Sequence, residues 1–236
     1  KLDSEEILLA GVAKGSGMIH PNMATMLAFL TTDANIEKNL LQKILSSAIK
    51  KTFNQTDVDS DQSTNDTVLI FANGKSGITV DTKKLLEVFS EAVLIICKFL
   101  AKEIARDGEG TSKLIDVTVE GAKTEDDALV ASRSVASSLL VRTAVYGRDP
   151  NWGRILMAVG KTGIMLDESR IDLYINDIQI AAEGKAISYN TQSVVTALGK
   201  SEVYIKIDLN IGDGFGQAWG GDLTEEYVIF NSAYTT

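Results

Sequence analysis

Between positions 203 and 211 the residues Val203, Ile205, Ile207, Leu209 and Ile211 fall on every second place. A period of two puts them on one face of a β-strand. Further back, Leu40, Leu41, Ile44, Leu45, Ala48 and Ile49 recur at spacings of three and four, which marks a helix with one buried stripe. A chain that carries both periods must bury strand faces against helix stripes. The two kinds of segment do not alternate as regular βαβ units. The pattern therefore predicts an α+β fold of mixed sheets with helices, arranged in two lobes that meet near residues 106–125.

The other elements follow the same logic. Strands are expected over residues 7–13, 24–31, 67–72, 114–119, 171–175 and 225–230. Asp33 and Asn35 are candidate N-caps for the helix over residues 40–49. A second helix is expected over residues 82–105, stopped by Asp107-Gly108-Glu109-Gly110, and a third over residues 128–145. Gly212, Gly214, Gly216, Gly220 and Gly221 read as a tight turn before the last strand, since they fit no phosphate-binding pattern.

Composition narrows the function. The 236 residues suffice to bury a core. A formal charge of -9 with no basic block argues against nucleic acid as a partner. The single cysteine, Cys97, and the single histidine, His20, leave no intrachain disulfide and no Cys- or His-cluster metal site. Cys97 falls in an apolar helical stripe and reads as inert core. The longest apolar run, residues 92–97, is far short of the ~20 a membrane helix needs. The acidic start is unlike a signal peptide. These features suit the cytoplasm. Without an initiator Met, the chain reads as a fragment or a processed product.

The segment Lys14-Gly15-Ser16-Gly17, leading to Ala24-Thr25-Met26, is the richest in chemistry. A hydroxyl is a weak nucleophile unless a base stands beside it. A threonine at a chain's own N-terminus meets that need, because its α-amine titrates near ~7.7–8.0 and accepts a proton at neutral pH. Its β-branched side chain has few χ1 choices, which holds the hydroxyl in place. The competing reading is a structural threonine at the start of a strand, and composition alone favours it.

The run KGSGMIHPNMATMLAFLTTDA (14–34) changes that balance. So do STNDTVLIFANG (63–74), RDGEGTSK (106–113), YGRDPNWGRILMAVG (146–160) and EEYVIFNSAYTT (225–236). Together they resemble the ornithine acetyltransferase (glutamate N-acetyltransferase) family of arginine biosynthesis, in the family's order and over the whole chain. The resemblance implies a self-processing N-terminal-nucleophile fold. Cleavage falls between Ala24 and Thr25, so residues 1–24 end an α segment. The β chain follows, with a first lobe over 25–112 and a second over 113–236. The resemblance further implies that Thr25 carries the acetyl group from N2-acetylornithine to glutamate. Lys14, Thr25, Glu109, Asn231 and Thr236 match substrate-contacting positions. No metal or cofactor is implied, although acetyl-CoA is a possible co-substrate. The implied partner is the α chain of the same precursor, in an α2β2 heterotetramer.

One departure stands out. Family members carry a long segment before the signature, holding the threonine-glycine pair of the oxyanion hole, whereas 24 residues precede Thr25 here. The alternative reading is thus a non-catalytic or incomplete scaffold lacking that hole. His20 reads as a loop residue. Residues 148–153 read equally well as a hydrogen-bonded knot or a lobe interface. The acidic run 57–61 lacks the offsets of an EF-hand, and Asp61 to Asp66 cannot be placed from sequence.

Overall fold

The computed structural model describes residues 6–20 and 26–233. The elements follow in chain order as β1 (Leu9–Lys14), β2 (Leu27–Thr32), α1 (Lys38–Lys51), β3 (Thr56–Asp57), β4 (Thr67–Ala72) and α2 (Lys83–Arg106). Next come β5 (Leu114–Ala122), α3 (Glu125–Ala136), α4 (Leu139–Tyr146), α5 (Trp152–Gly160), β6 (Asp172–Ile175) and β7 (Ile178–Ala182). The last are β8 (Lys185–Ala186), α6 (Thr191–Leu198), β9 (Glu202–Asp208), β10 (Gly214–Gly221) and α7 (Glu225–Ala233). The class is α+β.

Two sheets organise these elements. The first has the order β1-β2-β4, with β1 and β2 antiparallel and β2 and β4 parallel. Its buried side, with Ala28 and Leu30, packs with the α2 stripe of Phe89, Val93, Cys97, Leu100, Ala101 and Ile104 in one apolar cluster. The second sheet has the order β3-β10-β5-β9-β6-β7-β8. The alternating residues Val203, Ile205 and Ile207 point into its core, together with Ile115, Val117 and Val119 of β5 and with residues of α3, α4, α5 and α6. Trp219 of β10 is fully buried and belongs to the first cluster, so β10 is shared by both layers of packing.

Several elements differ from the sequence reading, each for a physical reason. The N-cap of α1 is Glu37, whose carboxylate accepts hydrogen bonds from the amides of Asn39 at 2.8 Å and Leu40 at 2.9 Å. Asp33 is already engaged by the amide of Leu8 at 2.8 Å, and Asn35 donates to Thr79 at 2.9 Å. The helix expected over 128–145 is two helices, α3 and α4, bent by 54° at a break where Ser138 caps the second.

Of the glycines in 212–221, Gly212 lies in the bend after β9, as expected, but Gly214, Gly216, Gly220 and Gly221 lie in strand β10. A Cβ on Gly216 would lie 2.5 Å from the backbone of Ala128 and Leu129, and one on Gly220 would lie 2.9 Å from the Ala136 carbonyl oxygen. The strand is glycine-rich because α3 lies directly on it.

Residues 225–230 are helical. Glu225 and Glu226 occupy the first turn, where carboxylates suit the helix dipole, and Thr224 Oγ1 accepts from the Glu226 amide at 3.1 Å. Among the described residues, no strand pairs with the Tyr227 to Phe230 run. The reading also gave no element to 178–200, where the structure forms β7, β8 and α6.

Candidate active site

Lys14 ends β1 and leads into a loop whose glycines are required by their surroundings. Gly15 has φ +148°, and a Cβ there would sit 3.1 Å from Ile19 Cδ1 and 3.3 Å from the Cα of Met26. The loop therefore runs tightly past the entrance to β2. At Gly17 a Cβ would meet all three atoms of the Glu109 carboxyl group at 2.6–2.7 Å. The Glu109 carboxylate thus lies on the bare face of this glycine. Its backbone is fixed as well, since the Glu109 amide donates to the Ser16 carbonyl at 2.8 Å.

Helix α7 closes the third side. Gly110 has φ +70°, and a Cβ there would come within 2.3 Å of the Tyr227 amide nitrogen. The first turn of α7 can therefore press on the 107–110 loop only because residue 110 is glycine. Thr224 Oγ1 donates to the Gly110 carbonyl at 2.6 Å and adds a second tie. One turn on, Asn231 Nδ2 donates to Glu109 Oε2 at 3.2 Å and to the Tyr227 carbonyl at 3.0 Å.

A fourth segment, the acidic run after β3, is stitched to the same loop. Asp59 accepts from the amides of Met18 at 2.5 Å and Ile19 at 3.0 Å. His20 Nδ1 lies 2.5 Å from Asp57 Oδ1. Asp57 is fully buried and faces the guanidinium of Arg142 at 3.6 Å, an ion-pair distance too long for a hydrogen bond. Arg142 is itself 1% exposed, and burial draws its pKa down against the pull of Asp57. His20, read as a loop residue, is thus a strut between the loop and a buried charge pair.

These segments enclose an open cavity of about 850 Å³. Lys14, Glu109 and Asn231, far apart in sequence, all line it. The structure brings these three predicted residues together. Ala24, Thr25 and Thr236 lie outside the described residues. Met26, which follows Thr25 in the chain, is buried beside Gly15 at the head of β2.

Asp59, Asp61, Asp107 and Tyr227 also line the cavity, and sequence reasoning had not placed them. Burial, with Asp59 and Asp61 next, pushes the Tyr227 phenol up. Among the described lining residues Lys14 is the one cation and faces four carboxylates. Among the described residues, no group of three or more His, Cys, Asp or Glu could hold a metal ion. The 148–153 loop lies apart from the cavity, and Asn151 there caps α5. No single described helix is long and apolar enough to cross a membrane.

A lysine beside carboxylates, with an amide side chain that orients one of them, suits a ligand carrying both a carboxylate and an ammonium group. A family model described as the ArgJ family matches residues 1–236. The "Arginine biosynthesis bifunctional protein ArgJ" of Staphylococcus epidermidis is 46% identical over 236 residues, covering 99% of this chain and 59% of its own length. The protein of the same name from Dehalococcoides mccartyi is 45% identical, covering 100% and 58%. The chain thus spans about three-fifths of the length of these relatives. The crystal structure of the "Arginine biosynthesis bifunctional protein argJ" from Bacillus halodurans is 41% identical, with a TM-score of 0.86, and covers 89% of this chain and 100% of its own. With the family matched from end to end and the fold shared, the chain belongs to the ArgJ family, the ornithine acetyltransferases that its sequence blocks resemble.

Proposed function

We propose that this chain carries the nucleophile and most of the substrate pocket of a glutamate N-acetyltransferase that takes its acetyl group from N2-acetylornithine. After cleavage between Ala24 and Thr25, the freed α-amine of Thr25 accepts the proton of its own hydroxyl. The oxygen attacks the acetyl carbonyl, the amide bond breaks, and ornithine leaves with the proton on its amine. The acetyl group now forms an ester on Thr25. The amine of glutamate then attacks that ester, acetylglutamate forms, and the Thr25 hydroxyl is restored. This is a double-displacement acyl transfer.

The observation that carries the proposal is the convergence of Lys14, Glu109 and Asn231 on one cavity at the head of β2. Lys14 pairs with a substrate carboxylate, and Glu109, held by Asn231, with a substrate ammonium. The further carboxylates suit the side-chain ammonium of acetylornithine. Thr236 completes the contacts at the chain end. The oxyanion hole comes from a segment that the longer relatives carry ahead of this region. A missing donor there would cost about 2.7–4 kcal/mol.

Acetyl-CoA as a second donor belongs to the same reading. An α2β2 assembly in the cytoplasm, without nucleic-acid or membrane partners, completes the reading.

The test is the natural full-length protein and its Thr25→Ala variant. The native protein should separate into two chains and gain the mass of one acetyl group on Thr25 when given acetylornithine. Thr25→Ala should stay uncut and transfer no acetyl. Transfer at the native rate by Thr25→Ala would sink the proposal. A native protein that stays uncut and takes no acetyl group would instead favour the scaffold reading.

A further inference from the structure

Met18 stands in the left-handed region, with φ +56°. Crowding at Cβ makes that region costly for a long side chain, whereas glycine takes it freely. The other described non-glycine residues with positive φ are Ser60, Arg148, Asn176, Asp177, Glu183 and Asn210, all of them polar. Met18 is the one apolar member of that group among the described residues. Glycines stand at 15 and 17 in the same loop, yet residue 18 keeps a long side chain. A side chain retained at a conformational cost points to a use for it.

Asp59 enforces this conformation. Its two carboxylate oxygens accept from the successive amides of Met18 and Ile19, at 2.5 and 3.0 Å. Ile19 is fully buried, and its carbonyl accepts from the Val58 amide at 2.6 Å. Residue 19 therefore turns into the core, and Met18 is left at the cavity with 47% of its surface exposed. It is the one large aliphatic side chain among the described lining residues, the rest being small, aromatic or polar. Charged groups flank it. Gly17 on one side carries the Glu109 carboxylate against its bare face, and Lys14 lies earlier in the same loop.

We infer that Met18 is a specificity-determining residue: its thioether chain is the apolar wall along which the methylene chain of the amino-acid substrate lies. The inference rests on the acetyl transfer proposed above. Both substrates have charged ends, which Lys14 and the cavity carboxylates suit, with methylenes between them. The side chain of acetylornithine is one methylene longer than that of glutamate. An unbranched, polarisable side chain adapts to both lengths, which a stiff β-branched one does not. Burying a methylene is worth about fourfold in affinity, so cover along one side of the ornithine chain is worth about tenfold. The methylenes take no part in the acyl step. Their contact with Met18 is the same in the ground state and the transition state, so it sets KM and leaves kcat alone.

The experiment compares Met18→Gly, Met18→Gln and Met18→Leu with the native full-length protein, with rates normalised to the amount of chain that starts at Thr25. Met18→Gly removes the side chain and relieves the backbone, so it should melt within about 4 °C of native. Met18→Gln keeps the length of the side chain and makes it polar. KM for acetylornithine should rise about tenfold in the Gly and Gln variants, with kcat within about threefold of native. Met18→Leu, still apolar, should keep KM within about threefold. A native KM in folded Met18→Gly overturns the inference, as does a Gln variant that matches the Leu variant, or a fall in kcat beyond about threefold. If Met18→Gly proves poorly folded by circular dichroism, the other pair decides. A gap of about tenfold in KM between Met18→Gln and Met18→Leu supports the inference, and equal values overturn it. The two proposals fail separately. A native protein that never gains an acetyl group on Thr25 sinks the function, whereas native acetylation with a native KM in Met18→Gly sinks only the apolar wall.

Discussion

Replacing Gly17 with alanine separates substrate recognition from stability, because of what its new methyl group would meet. The Cβ would stand 2.6 Å from Glu109 Oε2, 2.7 Å from Cδ and 2.7 Å from Oε1. Every one of these is the end of a flexible side chain, so the clash is relieved by swinging the carboxylate away. The backbone stays as it is, since Glu109 remains tied through its amide to Ser16. What is lost is the placement of the carboxylate and its hydrogen bond from Asn231. A hydrogen bond to a charged group is worth about 1.5–3 kcal/mol, which corresponds to roughly 10- to 150-fold in kcat/KM. Stability should hardly move, because a compatible glycine-to-alanine change is neutral or stabilising by about 0.4–1 kcal/mol. Gly216→Ala is the control of opposite sign. There the new methyl meets helix backbone at 2.5 Å, which no rotamer relieves. Overpacking of that kind costs about 1–3 kcal/mol or more, or roughly 2–12 °C in melting temperature at this size. The assay is acetyl transfer from acetylornithine alongside thermal unfolding. Gly17→Ala should melt within about 4 °C of native and lose activity. Native activity in a folded Gly17→Ala would refute the placement of Glu109 against substrate. A collapse of its melting temperature would refute the claim that the clash is confined to a side chain.

Two other outcomes follow from buried groups. Asp57→Ala should remove about 3–5 kcal/mol, because it strands the Arg142 guanidinium, 1% exposed, without its facing charge. Denaturant unfolding reads this directly. Adding Arg142→Met should restore most of the loss, and a double variant no better than the single would contradict the pairing. Cys97 is fully buried, and burial pushes its thiol up to about 12 from 9.0. The folded state therefore holds the proton more tightly than the unfolded one. This contribution is complete below about pH 9 and is lost as pH rises toward 12. Cys97→Ala should accordingly flatten the alkaline fall in melting temperature between those values, and an unchanged slope would count against it.

Glycine carried much of the difference between what could be read and what could not. At 15 and 17 its clustering marked a tight loop, and the structure shows one. At 212–221 the same residue type suggested a turn, which holds at Gly212, yet from Gly214 on β10 is a strand inside the larger sheet. The local signal was identical in both places, and only the closeness of α3 explains the second. The run Tyr227 to Phe230 carries strand-forming residues, but no described strand is there to pair with, and the acidic first turn prevails as α7. Asp59, Asp61 and Tyr227 went unplaced in sequence because nothing local marks a residue as facing a cavity that four distant segments enclose.

The sequence alone determined the α+β class, the stripe of α2, the alternation of β9 and the family, since each depends on residues close in the chain or on blocks retained in order. Periodicity is a property of a few successive dihedral angles, so it survives without knowledge of the rest. The tertiary structure alone decided that Glu109 lies on Gly17, that Asn231 reaches it from α7, and that Asp66 grips the amide of Met26. Those relations join residues 40 to 122 positions apart. They are set by how sheets and helices pack, which no local pattern encodes.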